Sequence, residues 1–308
     1  MLHTLTTVRT FMPKTILVTG SNGQLGSEIN ALISNDEYSM MSAKWFFTDR
    51  STLDITDAQA LESFCTKNDI NIIVNCAAYT AVDKAEEDEA NADAINHLAV
   101  KYMAEVAKKK NIKLIHISTD YVFDGTNHKP YTEEDKVCPV GVYGQTKLLG
   151  EEASQSINPE GAIIIRTSWV YSSFGNNFVK TMLRLGKERD ELGVIFDQVG
   201  TPTYAKDLAQ AILDIIQHSK LNIQNSVEIY HYSNEGVCSW YDFALAIFEI
   251  QSITCHVNPI ETKAYPTPAT RPYYSLLNKT KIKENYTVTT PYWRDSLRQA
   301  LQLMEPTS

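Results

Sequence analysis

Short apolar runs alternate with amphipathic stretches through the first two-thirds of the chain. The runs are five or six residues long and read as strands at 15–20, 45–49, 71–75, 113–118 and 162–167. Because they are almost wholly apolar, we expect parallel strands that are covered on both faces. Helical patterns fill the spaces between them at 24–33, 57–67 and 88–110. This order predicts an α/β fold built around a doubly wound parallel sheet.

A glycine-rich loop follows the first predicted strand and opens the first predicted helix. Its glycines are Gly20, Gly23 and Gly26, in a GxxGxxG spacing. Glycines at such a turn let the backbone approach a pyrophosphate, whose charge is favoured at a helix N-terminus. The loop therefore predicts a Rossmann-type dinucleotide site, to which we also assign the intervening residues Asn22, Gln24 and Leu25.

The end of the second predicted strand carries two residues with opposite implications for the cofactor. Asp49 lies 23 residues after Gly26, close to the spacing at which a carboxylate accepts hydrogen bonds from a ribose and favours NAD. The adjacent Arg50 favours NADP, because a guanidinium pairs with a 2′-phosphate. Both residues are predicted to bind cofactor, and NADPH and NADH both remain open.

The rhythm of strands and helices loosens after about residue 170. Helical patterns at 176–188 and 240–250, a strand at 228–233 and a Pro-rich loop at 264–275 precede a last helix at 292–304. We predict that residues 12–170 form mainly the NAD(P)-binding domain. Residues 171–308 are predicted to form mainly a smaller substrate-binding lobe, with some segments returning to the sheet. Residues 1–11 are interpreted as an extension without a functional role.

Composition argues against several classes of protein. The net charge of −9 argues against nucleic-acid binding. The five cysteines form no CxxC motif and no zinc-site spacing, which fits a reducing cytoplasm. No apolar run approaches the ~20 residues of a membrane-spanning helix. We therefore expect a cytoplasmic protein with a small-molecule ligand.

The stretch VYGQTK places Tyr143 and Lys147 four residues apart. On a helix this spacing puts both side chains on one face. A cation held beside a phenol favours the phenolate, so we expect Lys147 to lower the pKa of Tyr143 toward neutrality. The pair is therefore a candidate for general acid–base catalysis.

Eight segments of the chain resemble, in order, motifs of the dTDP-4-dehydrorhamnose reductases, which are extended short-chain dehydrogenases. The segments are TGSNGQLG (19–26), LDITD (53–57), NCAAYTAVDKAEED (75–88), ISTDYVFDG (117–125), YGQTKLLGE (143–151), RTSWVY (166–171), DQVGTPTYAKDLA (197–209) and ATRPYYSLL (269–277). The resemblance runs from Met12 to about Leu303 and implies hydride transfer from NADPH or NADH. The acceptor would be the C4 ketone of dTDP-4-dehydro-β-L-rhamnose, and the product dTDP-L-rhamnose for polysaccharide assembly.

The resemblance also implies roles for particular residues. The catalytic triad of the family falls on Thr119, Tyr143 and Lys147, with Tyr143 as the proton donor to the ketone oxygen. Further cofactor contacts are implied at Asp54 and Ile55 near adenine, and near the nicotinamide at Ala77, Ala78 and Tyr79. Substrate contacts are implied at Thr119, Asp120 and Trp169. We assign Arg271 to the diphosphate, because its guanidinium offers a bidentate fork to phosphate, and a structural salt bridge is the alternative for this residue.

One position departs from the pattern of those relatives that dimerise through Mg²⁺. Glu28 and Asp207 match the carboxylates of the metal bridge, but Lys206 stands where a second Glu would be. An ammonium group cannot ligate a cation and repels it. We therefore predict no metal site, and a monomer or a homodimer that does not need Mg²⁺.

Two other functions remain open. One branch of the family binds NADP and attaches to methionine adenosyltransferase as a regulatory subunit, without sugar chemistry of its own. The complete triad argues against that reading. The other alternative is a different nucleotide-sugar reductase or an epimerase on the same scaffold, which would use the same Tyr–Lys pair.

Overall fold

The computed structural model describes residues 14–35, 43–158, 160–217 and 227–304, so the interpretation of residues 1–11 falls outside the described residues. The strands are β1 (Lys14–Thr19), β2 (Ala43–Thr48), β3 (Ile72–Asn75), β4 (Lys113–Thr119), β5 (Ala162–Thr167), β6 (Val170–Tyr171), β7 (Glu191–Ile195), β8 (Val199–Gly200), β9 (Thr203–Tyr204), β10 (Glu228–His231), β11 (Cys238–Ser239), β12 (His256–Ile260) and β13 (Tyr274–Ser275).

The helices connect these strands and cover the sheet. They are α1 (Gln24–Ser34), α2 (Ala58–Lys67), α3 (Val82–Ala85), α4 (Glu89–Asp93), α5 (Ala99–Lys110), α6 (Val142–Ile157), α7 (Phe178–Glu188), α8 (Ala205–Gln217), α9 (Trp240–Ile250), α10 (Thr280–Tyr286) and α11 (Trp293–Met304). A π-helical turn (Ala94–Leu98) joins α4 to α5, and 3₁₀ turns occur at Asp120–Val122 and Thr262–Ala264. None of the helices in the described ranges is long and apolar enough to cross a membrane.

A six-stranded parallel sheet forms the centre of the molecule, in the order β10-β5-β4-β3-β1-β2. Side chains of a strand alternate between the two faces. Ile16 and Val18 of β1 therefore join a core with α1 and α8, whereas Leu17 joins a second core with α2 and α5 on the other face. The predicted doubly wound Rossmann-type fold is confirmed. The strand β10 and the helix α8 both come from beyond residue 171, and both complete this layered unit.

Residues 88–110 do not form the single helix that their pattern predicts. The π-helical turn interrupts it and contains the buried Asn96. The Asn96 side chain accepts a hydrogen bond from the backbone N–H of Tyr79 and donates to the hydroxyl of Thr146. Gly150 of α6 also packs against the turn, where a Cβ atom would lie 2.3 Å from the Asn96 carbonyl oxygen. The wider turn thus accommodates contacts that lie outside the segment itself.

A smaller lobe packs beside the sheet around its own core. Helices α7, α9 and α11 and the parallel pair β7–β12 contribute this core, which includes Phe243, Trp293 and Leu297. Ser239 and Asp242 form a capping box that begins α9. The Pro-rich segment at 264–275 is largely irregular, as predicted, and ends in β13. The two lobes flank a cleft at the carboxyl ends of the central strands, where open α/β sheets bind ligands.

Candidate active site

The glycine loop folds tightly between β1 and α1. Gly20 has a φ of +67°, and a Cβ atom there would lie 2.6 Å from the backbone nitrogen of Ala77. A Cβ atom on Gly26 would lie 2.5 Å from the Gly20 carbonyl oxygen. Gly23 is the N-cap residue of α1, and no side chain caps the helix there. The first amides of α1 are thus left for an anion, which suits a pyrophosphate.

The first cavity of the cleft, here called the glycine-loop cavity, has a volume of about 310 Å³. Most of the residues that we predicted to bind cofactor line it, namely Gly20, Asn22, Gly23, Asp49, Arg50, Asp54, Ile55, Ala77 and Ala78. Residues that the sequence reasoning missed also line it, namely Leu53, Thr56, Cys76, Asn91 and Ile95. Most of these missed residues could have been inferred from the sequence only because they adjoin predicted ones, as Leu53 and Thr56 adjoin Asp54 and Ile55, and Cys76 adjoins Ala77.

Asp49 lies one residue beyond β2 and is held in place by local hydrogen bonds. Its Oδ1 accepts from the Ser51 hydroxyl at 2.7 Å and from the backbone N–H of Thr52 at 3.0 Å. The Asn22 side chain of the glycine loop donates to Oδ2. Hydrogen bonds from Ser51 and Thr52 lower the pKa of Asp49 to about 2. The carboxylate is therefore ionised at any physiological pH, and Arg50 beside it is exposed.

The second cavity, here called the Tyr143 cavity, has a volume of about 560 Å³. It brings together Thr119 at the end of β4 with Tyr143 and Lys147 on α6. The other predicted residues along it are Gly23, Gln24, Leu25, Ala78, Asp120 and Trp169. Gly23, Cys76 and Ala78 line both cavities. The two cavities therefore adjoin along one cleft.

The protonation of Tyr143 differs from our expectation. Burial raises the pKa of Tyr143 to about 12, although the hydroxyl of Thr119 acts to lower it. The prediction that Lys147 brings this pKa toward neutrality is therefore wrong for this structure, because desolvation of the phenolate outweighs any help from the cation. Tyr143 keeps its proton at physiological pH.

Lys147 is almost fully buried, with 1% of its surface exposed. Burial lowers its pKa to about 8, against the attraction of Glu151. Its Nζ donates a hydrogen bond to the carbonyl oxygen of Ile117 at 2.6 Å and lies 3.4 Å from Nε2 of His116. Thus Lys147 carries a proton that it can lose slightly above neutral pH.

Comparison with known proteins identifies the family of this chain. The RmlD substrate binding domain model matches residues 14–305. A dTDP-4-dehydrorhamnose reductase from Aggregatibacter actinomycetemcomitans is 41% identical over 293 residues, which cover 92% of this chain and 97% of the relative. The chain belongs to the dTDP-4-dehydrorhamnose reductase family.

Solved structures of the dTDP-4-dehydrorhamnose reductase family share the whole fold. The crystal structure of a family member from Clostridium acetobutylicum has a TM-score of 0.87 and 43% identity, covering 94% of this chain and 99% of that chain. One from Bacillus anthracis, solved in complex with NADP, has a TM-score of 0.87 and 36% identity over the same shares of the two chains. The resemblance read from the sequence motifs is confirmed.

Two further residues of this reductase-family chain that we predicted to contact substrate lie along the Tyr143 cavity. Burial raises the pKa of Asp120 to about 6, against the hydroxyls of Ser275 and Thr119 that lower it. Trp169 has a φ of +51°, which is uncommon for a bulky residue and typical of functional sites. Its ring stacks on Trp240 with centroids 3.6 Å apart.

Two other predicted site residues are engaged by protein groups and line neither cavity. Arg271 forms a bidentate ion pair with Asp83 of α3, with N–O distances of 2.9 and 2.6 Å. Tyr79 donates its hydroxyl to Asp88 at 3.1 Å. The Arg271 pair ties the Pro-rich segment to α3.

Asn177 is a cleft residue that the sequence reasoning missed. It lines the Tyr143 cavity and caps α7 by accepting from the backbone N–H of Lys180. Its Nδ2 donates to Oε1 of Gln24 at 2.9 Å, which joins the second lobe to the glycine loop. The Asn pair that opens the predicted helix at 176–188 was the available signal.

The carboxylates compared with the Mg²⁺ bridge of relatives are engaged within the chain. Glu28 is buried and accepts a hydrogen bond from Ser172, while Asp207 accepts from Asn234 and Ser296. Burial raises the pKa of both carboxyl groups, and the charge of Lys206 lowers both. Within the part of the chain that the structure describes, no three His, Cys, Asp or Glu side chains are grouped to hold a metal ion.

Proposed function

We propose that this protein reduces the C4 ketone of dTDP-4-dehydro-β-L-rhamnose to dTDP-L-rhamnose, with NADPH or NADH as the hydride donor. The observation that carries the proposal is the meeting of Thr119, Tyr143 and Lys147 in one cavity that adjoins the glycine-loop cavity. Relatives that share about 40% of their residues with this chain are named for that activity. The product would serve polysaccharide assembly.

The glycine-loop cavity suits the nucleotide half of the cofactor. The uncapped N-terminus of α1 offers backbone amides to the pyrophosphate. Asp49, which remains ionised, accepts hydrogen bonds from a ribose, and the exposed Arg50 is free to pair with a 2′-phosphate. Asp54 and Ile55 flank adenine in this proposal, and Ala77 and Ala78 lead toward the nicotinamide.

Tyr143 acts as the general acid in this proposal. A bound reduced nicotinamide supplies the hydride, and negative charge then develops on the ketone oxygen. Because its pKa of about 12 keeps Tyr143 protonated, it can donate that proton to the oxygen. Thr119 donates a hydrogen bond to the same oxygen, and Lys147 as ammonium stabilises the phenolate left on Tyr143 and binds the nicotinamide ribose.

The substrate lies between the two lobes in this proposal. Asp120 and the ring of Trp169 contact the sugar from the Tyr143 cavity. Arg271 binds the diphosphate, for which it exchanges one bidentate oxyanion partner, the Asp83 carboxylate, for another. The Pro-rich segment would thus respond to substrate through this exchange.

Turnover with a panel of 4-keto nucleotide sugars tests the proposed function. Purified protein is mixed with NADPH or NADH and each sugar, and the loss of reduced-nicotinamide absorbance is followed. We expect turnover with dTDP-4-dehydrorhamnose and none without a keto sugar. Activity only on a different keto sugar would reassign the substrate, and the absence of turnover with every sugar would favour the regulatory-subunit alternative. An epimerase would instead retain tightly bound NAD through dialysis.

The setting of the protein is part of the same proposal. All five cysteines are free thiols, as expected in a reducing cytoplasm. We infer a cytoplasmic monomer or homodimer whose partner is the dTDP-sugar. We further propose that residues 12–170 mainly bind cofactor and residues 171–308 mainly bind substrate, with β10 and α8 returning to the sheet domain.

A further inference from the structure

A chain of buried polar groups runs beneath the cleft from the end of β1 to Lys147. The Oδ1 atom of Asn75 accepts from the Thr19 hydroxyl at 2.7 Å and from the backbone N–H of Ala77 at 3.2 Å. Its Nδ2 lies 3.0 Å from Nδ1 of His116. On the other side of the ring, Nε2 of His116 lies 3.4 Å from Nζ of Lys147. The side chains of the chain are all buried.

The orientation of the Asn75 amide is fixed by Ala77. A hydroxyl such as that of Thr19 can donate or accept, so it would tolerate either end of the amide. The backbone N–H of Ala77 can only donate, so the atom that faces it must be the oxygen of Asn75. The NH₂ group of Asn75 therefore points at His116.

The Asn75 amide in turn fixes the tautomer of His116. Because the NH₂ group donates, Nδ1 of the ring must be the bare acceptor, and a neutral ring then carries its proton on Nε2. Burial and the charge of Lys147 lower the pKa of His116 well below its usual value, so the ring is neutral. The N–H bond at Nε2 therefore points its positive end at Nζ of Lys147.

We propose that Asn75 and His116 are positioning residues that set the protonation state of Lys147 through the tautomer of the imidazole ring. With a proton on Nε2, the ring offers an ammonium group a second donor rather than an acceptor. The ammonium therefore hydrogen-bonds to the Ile117 carbonyl at 2.6 Å, and the distance to the ring is long for a hydrogen bond. An amine at Lys147 could accept from the same N–H. This tautomer of His116 therefore favours the neutral amine of Lys147 more than the opposite tautomer would, and so contributes to lowering the pKa of Lys147.

The other charged and titratable groups around Lys147 act in different directions. On α6, Glu151 favours the ammonium, but it is itself held by Arg166 of β5 in a buried pair at 2.7 Å. Tyr143, on the same helix, is neutral. His116 of β4 differs from both groups, because reversing its tautomer adds no charge beside Lys147.

Ring ¹⁵N NMR of protein labelled at histidine tests the tautomer directly, without substrate. We expect His116 with its proton on Nε2 in the unmodified protein, with the signal assigned by its loss in His116→Gln. His231 is an internal control, because its Nδ1 lies 3.0 Å from the Tyr131 carbonyl oxygen and must donate to it. A proton on Nδ1 of His116, or a charged ring at neutral pH, would overturn the proposal.

The variant Asn75→Asp should reverse the tautomer of His116. The carboxylate would accept from Nδ1–H, so the proton leaves Nε2, which becomes an acceptor for the Lys147 ammonium. We expect the His116 signal to change tautomer while His231 keeps its own. The titration midpoint of Lys147, followed by ¹³C NMR of its ε carbon, should rise by about one pH unit or more. Thr19→Val is the matched control, because the Ala77 amide still orients Asn75, and its midpoint should stay in place.

A double-mutant comparison separates the tautomer from the added charge. In a His116→Phe background, Asn75→Asp adds the same carboxylate, but the phenyl ring has no tautomer that could change. The shift of the Lys147 titration midpoint should therefore be clearly smaller. An equal shift in both backgrounds would refute the relay. The consequence for turnover rests on the proposed function, since the basic limb of the rate profile should move with this midpoint. The NMR readouts do not depend on activity, so failure of the proposed function leaves them intact.

Discussion

The glycine-loop cavity and the Tyr143 cavity lie side by side, but the first favours the charged forms of its titratable groups and the second favours the neutral forms. In the first, hydrogen bonds from neighbouring residues lower the pKa values of Asp49 and Asp54, which are little buried. In the second, burial raises the pKa values of Asp120 and Tyr143 and lowers that of Lys147. One cavity therefore stabilises permanent charge, and the other favours neutral forms. Permanent charge suits recognition of a ligand, whereas a buried Tyr143 that keeps its proton can donate it, beside Asp120 and Lys147, whose pKa values lie closer to neutrality.

The largest test of this comparison is Tyr143→Phe. The change keeps the ring and its edge-to-face contact with Tyr121 but removes the proton that the buried site protects. We expect kcat to fall by ~10²–10⁴-fold, with the Kd for NADPH nearly unchanged. Tyr121→Phe is the matched control in the same cavity and should retain most of kcat. Near-normal kcat in Tyr143→Phe would show that the Tyr143 cavity does not supply the acid.

Lys147→Met should lower kcat by roughly 10²-fold and weaken cofactor binding as well, because the ammonium serves both steps. The sign of the pH effect follows from the lowered pKa of about 8. The ammonium is present below that pH, so the rate of the unmodified protein should fall as pH rises through it. In Lys147→Met this fall should vanish, leaving only the titration of Tyr143 at much higher pH. The measurement is the pH–rate profile of both proteins. A basic limb near pH 8 that persists in Lys147→Met would contradict the assignment of this limb to Lys147.

How far the sequence could predict each cavity follows from the separation of the interacting residues. The hydrogen bonds that lower the pKa of Asp49 come from Ser51 and Thr52, within three residues of it in the sequence. The bond that holds Lys147 comes from Ile117, 30 positions away, and the His116 contact spans 31. The spacing in the sequence therefore predicted that Tyr143 and Lys147 share a helix, but it predicted the wrong direction for the shift of the Tyr143 pKa, since burial depends on how distant elements pack.

The elements of the fold divide in the same way, between those held by local residues and those held by distant ones. Apolar runs predicted the strands of the sheet to within about two residues, because the inner strands such as β3 and β5 are buried along their whole length. The break at Ala94–Leu98 was missed, because it depends on Tyr79, Thr146 and Gly150 from other elements. A salt bridge was one of the two readings of Arg271, but its partner Asp83 could not be predicted, because 188 positions separate the two residues.

Substitutions at Asp49 and Arg50 sharpen the account of the glycine-loop cavity. Asp49→Ala should raise the KM for NADH about 10-fold more than that for NADPH. The reason is that only NADH has a free 2′-hydroxyl, which donates a hydrogen bond to the carboxylate that the variant lacks. Arg50→Ala should do the reverse. Asp54→Ala is the control, since it removes a carboxylate from the same cavity but should affect both cofactors alike. Steady-state kinetics with each cofactor measure these effects, and equal losses in Asp49→Ala would place the ribose elsewhere.

The smallest expected effect concerns two carboxylates outside the cleft, the buried Glu28 and the half-buried Asp207. Glu28 and Asp207 lie in surroundings that raise their pKa values, like those of the Tyr143 cavity, yet the charge of Lys206 acts on both. Because this cation belongs to the chain, we expect sedimentation velocity to give the same oligomeric state with Mg²⁺ and with EDTA. Lys206→Glu removes the charge and restores the paired carboxylates of Mg²⁺-bridged relatives, so its assembly should become sensitive to EDTA. If the unmodified protein dissociates on chelation, other carboxylates such as Glu188, Asp190 or Glu191 must hold a metal between copies. The Lys206 ammonium would then not take the place of a metal ion in the assembly.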